Sequence, residues 1–311
     1  MSINSLGEQP YEGYLFVYFN SEHEEGEQVY FSVSKDGLYW KDINKGQPVL
    51  RSGIGEKGVR DPFIVRSPLD NKFYIIATDL RIASGKGWDA AQHRGSRSII
   101  IWESTDLVTW SKERSFDVDI PGASCVWAPE TVYDELTDEH MIFWASMVRG
   151  QGIAEPKQII YSSRTKDFRT FSKPEIFIER ENHVIDATIL KVDGVYYRFS
   201  KDEAKKCIIL DQSKSLGKDT FSDVSASVVQ ELIGVEGPAI FKFNDRDEWC
   251  LMVDQYASGK GYLPLVTNDI ASGQFRILNS EEYYLGDNKK SHGSILNLTK
   301  AEYDALIEAW G

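Results

Sequence analysis

One phrase recurs five times along this chain and limits what the chain can fold into. Each copy is a β-rich run followed by a small polar residue, an Asp and, a few residues on, an aromatic. FSVSKDGLYW ends at Trp40, WESTDLVTW at Trp110, YSSRTKDFRTF at Phe171, LDQSKSLGKDTF at Phe221 and VTNDIASGQF at Phe275. The intervals of 70, 61, 50 and 54 residues between these ends are those of propeller blades with variable loops, too long for a short-period solenoid. Ahead of each of the last four phrases stand two more short runs rich in Val, Ile, Tyr, Phe and Trp. They pair as DPFIVRS with KFYIIATDL, APETVYDE with HMIFWASM, IDATILKVDG with VYYRFSKD, and EGPAIFKFND with EWCLMVDQY.

The first phrase has one such run before it, YLFVYF at 14 to 19, so the N-terminal unit lacks a leading strand. SHGSILNLT, residues 291 to 299, has the form of that strand. The expectation is an all-β, five-bladed β-propeller closed by the C-terminal strand completing the N-terminal blade, which removes exposed sheet edges. Thr299 and Glu302 have the spacing of a capping box. Tyr303, Leu306, Ile307 and Trp310 share one face of a short C-terminal helix beyond them, read as a packing cap. No linker or composition shift divides residues 1 to 311, so one domain is expected.

Composition excludes several classes of function. With 35 basic against 48 acidic residues the net charge is −13, which disfavours a nucleic-acid partner. No window of 18 apolar residues exists, and MSINSLGEQPYEG has neither a basic nor an apolar leader region, so no membrane association and a cytoplasmic location are expected. Cys125, Cys207 and Cys250 are too far apart for a disulfide framework or a CxxC metal pair and read as buried hydrophobes. No GxSxG elbow, phosphate loop or Ser-His-Asp order is present. The longest insertion, 81 to 98, and a similar phrase, ASGKGY at 257 to 262, occupy matching places in two units. Long loops on a rigid scaffold tend to carry function.

Leading strands line the channel of a propeller, so the residues that open them converge at one mouth. Those openings carry Asp61 in VRDPFIV, Glu130 in VWAPETV, Asp186 in VIDATIL, Glu236 in VEGPAIF and His292 in KSHGSIL. Four clustered carboxylates repel one another and shift one another's proton affinity, an arrangement that is costly without a use. Two carboxyls with separated proton affinities are what glycosidic cleavage needs, one to protonate the leaving oxygen and one to activate water or attack carbon.

DPFIV, WAPE, VIDAT, VEGPAIF and SHGSI, in that order over about 60 to 298, resemble the motif set of glycoside hydrolase family 43. Those are five-bladed propeller enzymes acting on arabinan and xylan. The resemblance implies Asp61 as general base, Asp186 as the residue that tunes pKa and orients substrate, and Glu236 as general acid. It also implies inversion by a single displacement, which needs the two carboxyls about 6.5 to 9.5 Å apart. Trp127 matches the aromatic set against the sugar, and Glu130 is a candidate for substrate or ion contact. His292 matches an axial histidine that faces an ordered water or a water-held structural calcium ion in the channel; the chemistry itself requires no cofactor. The chain departs from the pattern at Glu130, where relatives read WAPD, and at Ala187, where they read IDP. Lys201 and Asp202 are read as a sugar contact or a surface ion pair.

The reading is therefore an exo-acting α-L-arabinofuranosidase on arabinose- or xylose-containing oligosaccharides. The absence of a leader suggests small imported substrates, and no C-terminal sandwich domain of the kind many β-xylosidases carry is seen. A β-xylosidase or galactofuranosidase of the same family is the nearest alternative. A β-fructofuranosidase lacks support because no WMNDPNG-like opening is present. A non-catalytic carbohydrate-binding propeller is the alternative from another class, and the oligomeric state is not legible.

Overall fold

The computed structural model describes residues 10 to 150 and 153 to 311. The nine residues before them, on which the leader reading mainly rests, lie outside the described residues. Five four-stranded antiparallel sheets form the five blades, as expected. The leading strands are Gly293–Thr299 in blade I, Val59–Arg66 in blade II, Trp127–Asp134 in blade III, Val184–Val192 in blade IV and Glu236–Lys242 in blade V. The outermost strands are Trp40–Asp42, Arg114–Asp117, Glu175–Ile178, Ser222–Val224 and Arg276–Ile277. These span only two to four residues, too short to show an alternating pattern, so the sequence reveals three strands per unit where the fold has four.

The recurring Asp earns its repetition by holding the turn into the outer strand. Asp36 accepts from the backbone N–H groups of Leu38 and Tyr39, Asp106 from Val108 and Thr109, and Asp167 from Arg169 and Thr170. These are Asx-type turns in which a carboxylate satisfies two loop donors at once. The aromatic closes two of them: the indole N–H of Trp40 donates to Gly37 and that of Trp110 to Leu107.

Ring closure is as the sequence implies. Gly293–Thr299 pairs antiparallel with Tyr11–Tyr18, in register from Tyr14 opposite Asn297 to Tyr18 opposite Gly293. The helix Lys300–Trp310 follows directly, with the Thr299–Glu302 capping box formed. Leu306 is fully buried, with Tyr303, Ile307 and Trp310 packed beside it on the seam between blades I and II. Glu302 also accepts from Arg66 Nη2 at 2.9 Å, tying the helix to blade II. Each pair of neighbouring blades encloses its own apolar cluster among the described residues. The three cysteines are free and buried within this frame, and no described helix is long and apolar enough to cross a membrane.

Because the closing strand completes one of these seams, its core residue should matter more than its place near the chain end suggests. Leu298 is fully buried, and Leu298→Ala is expected to cost about 2 to 5 kcal/mol, read as a lowered denaturant midpoint. A loss under about 0.5 kcal/mol, the range of an ordinary surface substitution, would show that the closing strand adds little.

Candidate active site

A break in the ladder builds the mouth of the channel. In blades II to V the leading strand slips register against its neighbour, between Arg60 and Phe63, Trp127 and Glu130, Ile185 and Thr188, and Glu236 and Ala239. Each slip holds one residue at positive φ: Asp61 at 51°, Ala128 at 47°, Asp186 at 50° and Gly237 at 53°. A regular strand sends consecutive side chains to opposite faces. At these bulges Arg60 and Asp61, and likewise Ile185 and Asp186, line the same cavity. The five openings converge as expected, but they are not equivalent. Asp61 and Asp186 sit at the bulge itself, Glu236 precedes it by one residue and Glu130 follows it by two.

The cavity measures about 690 Å³ and is lined by Asp61, Asp186, Glu236, Trp127 and His292, among others. His292 is 5% exposed and stands at the centre of the acidic group. Its Nδ1 lies 3.5 Å from Asp61 Oδ1 and 3.8 Å from Asp186 Oδ1, and its Nε2 lies 3.9 Å from Glu130 Oε1. Burial works against the imidazolium, but Asp186, Asp61 and Glu130 outweigh it and hold the ring's pKa well above its ordinary value. The counterpart is Asp61. Burial opposes its charge, yet hydrogen bonding and charge from His292, with Arg60 and Thr78, bring its carboxyl below the usual range. Thr78 Oγ1 donates to Asp61 Oδ2 at 2.7 Å and accepts from the Ala128 N–H at 2.8 Å, locking the carboxylate across two blades.

Asp186 goes the other way. Burial, with the charges of Glu236 and Asp61, pushes it up to about 6 against His292 and Lys201. Its Oδ2 accepts from the Gly237 N–H at 3.1 Å. Glu236 accepts from Lys201 Nζ at 2.7 Å. Lys201 is 2% exposed, also pairs with Glu203 at 2.8 Å, and lies 4.2 Å from the centroid of the Tyr256 ring. The surface ion pair considered for Lys201 and Asp202 is thus corrected: Lys201 is buried and serves Glu236. Asp202 instead takes the Asn182 amide and the N–H groups of Ala204 and Lys205.

One expectation is redirected. Glu130 does not line the cavity; it is 3% exposed, faces His292 Nε2, and its Oε2 lacks a hydrogen-bond partner among the described residues. Burial pushes its carboxyl up to about 7 despite the pull of His292, and it stands behind the residues that face the cavity. No three described His, Cys, Asp or Glu side chains converge as a direct metal cage, so any ion beside His292 would be held through water, as the resemblance implies.

Sequence reasoning missed several wall residues. Trp88, in the 81 to 98 insertion, stands edge-on to Trp127 with ring centroids 6.1 Å apart. Arg60 packs its guanidinium over Phe19 and Trp88, at 4.3 and 4.9 Å, and pairs with buried Glu27 at 3.0 Å. Glu27 also accepts from the N–H groups of Ile82 and Ala83, anchoring the insertion. The 81 to 98 insertion thus reaches the cavity through Trp88 and Gln92, whereas beside the ASGKGY phrase only the preceding Tyr256 lines it among the described residues.

Comparison with known proteins settles the lineage. The profile described as a probable glycosyl hydrolase domain, of the family-43-related group, matches residues 9–304. The chain belongs to glycoside hydrolase family 43. It is 31% identical over 276 residues to an α-L-arabinofuranosidase of Bifidobacterium longum subsp. longum, covering 77% of this chain but only 26% of that protein. The family 43 chain thus spans about a quarter of the curated relative it matches. An endo-1,4-β-xylanase structure from Bacteroides thetaiotaomicron shares the fold at a TM-score of 0.59 and 14% identity, over 88% of this chain and 95% of that one. An α-L-arabinofuranosidase from Lactobacillus brevis gives 0.50 and 15%, over 74% of each chain.

The buried charges set a pH dependence of stability. Glu130, Asp186 and Asp254 carry pKa values raised to about 7, 6 and 7. The folded state therefore holds protons that the unfolded chain releases between about pH 4 and 7, and stability falls as pH rises through that window. The raised pKa of His292 acts in the same direction at higher pH, its contribution full below about 6.5 and lost on its deprotonation. The lowered carboxyls such as Asp61 lose their contribution only as pH falls below about 4. Thermal midpoints should therefore decline from pH 5 to pH 8. Glu130→Gln should flatten that decline, since ionising a carboxyl moved from 4.5 to about 7 costs about 3 kcal/mol. An unchanged slope in that variant would show that Glu130 is not the group responsible.

Proposed function

We propose that this enzyme is an inverting, exo-acting α-L-arabinofuranosidase, with Asp61 as general base, Glu236 as general acid and Asp186 as the residue that tunes and orients them. The observation that carries the reading is the split among carboxyls lining one cavity. Asp61 is held ionised by His292, Arg60 and Thr78, while Asp186 beside it is raised to about 6. An ionised base in one cavity with further carboxyls is what acid–base cleavage of an acetal needs. In the proposed step a water on the Asp61 side attacks the anomeric carbon and gives its proton to Asp61. The new C–O bond forms as the bond to the leaving oxygen breaks, and Glu236 donates its proton to that oxygen.

Preference for arabinofuranosides is supported by the printed activity of the Bifidobacterium relative. Sugar binding is supported by Trp88 and Trp127 on the cavity wall, where aromatic faces suit the apolar side of a furanose ring.

The test pairs two substrates with two variants. Hydrolysis of an aryl α-L-arabinofuranoside should exceed that of the matching β-D-xyloside, and NMR should show the first-formed sugar with inverted configuration. Asp61→Asn and Glu236→Gln should each lower turnover of the folded enzyme by about 10² to 10⁴-fold. Preference for the xyloside would transfer the specificity to the β-xylosidase alternative. Unchanged turnover in both variants would overturn the assignment of these two residues.

A further inference from the structure

The bulges give the second strands of the blades a special place, the residue paired with the one just before the slip. Thr78 holds it opposite Arg60, Lys201 opposite Ile185, and Asp254 opposite Glu236. The first two each donate to a cavity carboxylate, Thr78 to Asp61 and Lys201 to Glu236. Asp254 is 3% exposed and lines the same cavity, yet its Oδ1 is buried with no hydrogen-bond partner among the described residues. Cross-strand partners place their side chains on one face with Cβ atoms about 5 Å apart, so Asp254 and Glu236 are neighbours.

Asp254 is faced by Glu236 from the leading strand, Tyr262 from the next strand of blade V, Lys289 and His292 from the segment before the closing strand, and Arg60 from blade II. None of the cations pairs with it closely enough to form an ion pair among the described residues. A carboxyl so enclosed and lacking donors is a poor site for a charge and a good one for a proton. Burial and the charge of Glu236 push it up to about 7, against Lys289, His292 and Arg60. Glu236, by contrast, receives the Lys201 ammonium at 2.7 Å, so the proton an acid must deliver has to be kept close by.

We propose that Asp254 is the positioning residue that stores the proton for Glu236 and hands it across the strand pair through a cavity water. The proposal rests on the reading of Glu236 as general acid. The stored proton passes from Asp254 through that water to the Glu236 carboxylate and from Glu236 to the leaving oxygen as the glycosidic bond breaks. The proton that Asp61 takes from the attacking water then returns to the pair through solvent, so each turnover consumes one water and no net proton. The alkaline limb of the pH–rate profile belongs to the pair.

The experiment compares the parent with Asp254→Asn and Asp254→Ser on two aryl α-L-arabinofuranosides, one with dinitrophenol and one with unsubstituted phenol as leaving group. For the phenyl substrate the alkaline limb of kcat should move about one unit to lower pH, with kcat at pH 7 down about tenfold and KM within about twofold. The dinitrophenyl substrate, which needs little protonation, should be cleaved at nearly the parent rate. An unmoved limb, an equal loss on both substrates, or a change confined to KM would overturn the proposal. Failure of both variants to fold would also do so, by assigning Asp254 to structure. Glu236→Gln on the same pair separates the two readings. If its loss does not depend on the leaving group, the acid assignment itself fails, whatever the Asp254 variants do.

Discussion

The backbone slip at the head of four leading strands is the constraint on which the site depends. Holding a residue other than glycine at positive φ costs about 1 kcal/mol or more, and three of the four slips do so, at Asp61, Ala128 and Asp186. The sheet sustains that strain because the strand is paired again a few residues later. What the strain provides is density: consecutive side chains share one cavity, so a mouth five strands wide presents more chemistry than one alternate residue per strand would allow. The fourth slip uses Gly237, where a Cβ would lie 2.7 Å from His292 Cγ. That approach lets the Gly237 N–H reach Asp186, and a larger residue would push the imidazole out of the acidic ring.

Charge balance at the centre follows from that geometry. His292 touches three carboxylates and can be cationic toward all of them, but it does not treat them alike. Asp61 has His292, Arg60 and a Thr78 hydroxyl on its side, whereas at Asp186 burial, with Glu236 and Asp61 as like-charged neighbours, outweighs His292 and Lys201. Burial and unequal neighbours around one imidazole therefore separate groups that composition alone would call equal. The separation is a property of the cluster, and removal of any member would shift the rest.

Much of this was legible in the sequence because the repeat is local. The Asx turn after the third strand of blades I to III needs its Asp within one short phrase, so it shows as a pattern. The convergence of Asp61, Asp186, Glu236 and His292 followed from strand order alone. The outer strands were hidden by their shortness. The role of Lys201 was hidden because a lysine followed by an aspartate at a strand end looks the same whether it meets solvent or a buried glutamate of the next blade. Asp254 was hidden by register. Read by sequence, it aligns with Asp79 and Asp202, which end their strands in the same way, and both of those anchor loops through backbone N–H groups. The bulge shifts blade V so that Asp254 instead stands where Thr78 and Lys201 stand in other blades, and no linear pattern carries that shift.

Closure of the ring and assembly of the site are one event. His292 lies immediately before the strand that completes blade I, and the same segment is fixed by buried Lys290, whose ammonium donates to Asp42 at 2.7 Å. Ser294 on that strand donates to the Pro62 carbonyl and accepts from the Ile64 N–H, gripping the blade that carries Asp61. An open ring would leave the acidic residues of blades II to V without the cation that makes their proximity tolerable. The repulsion that makes the cluster costly is thus relieved only in the closed propeller, so the most distant contact along the chain, between its first and last strands, sets the electrostatics of the cavity.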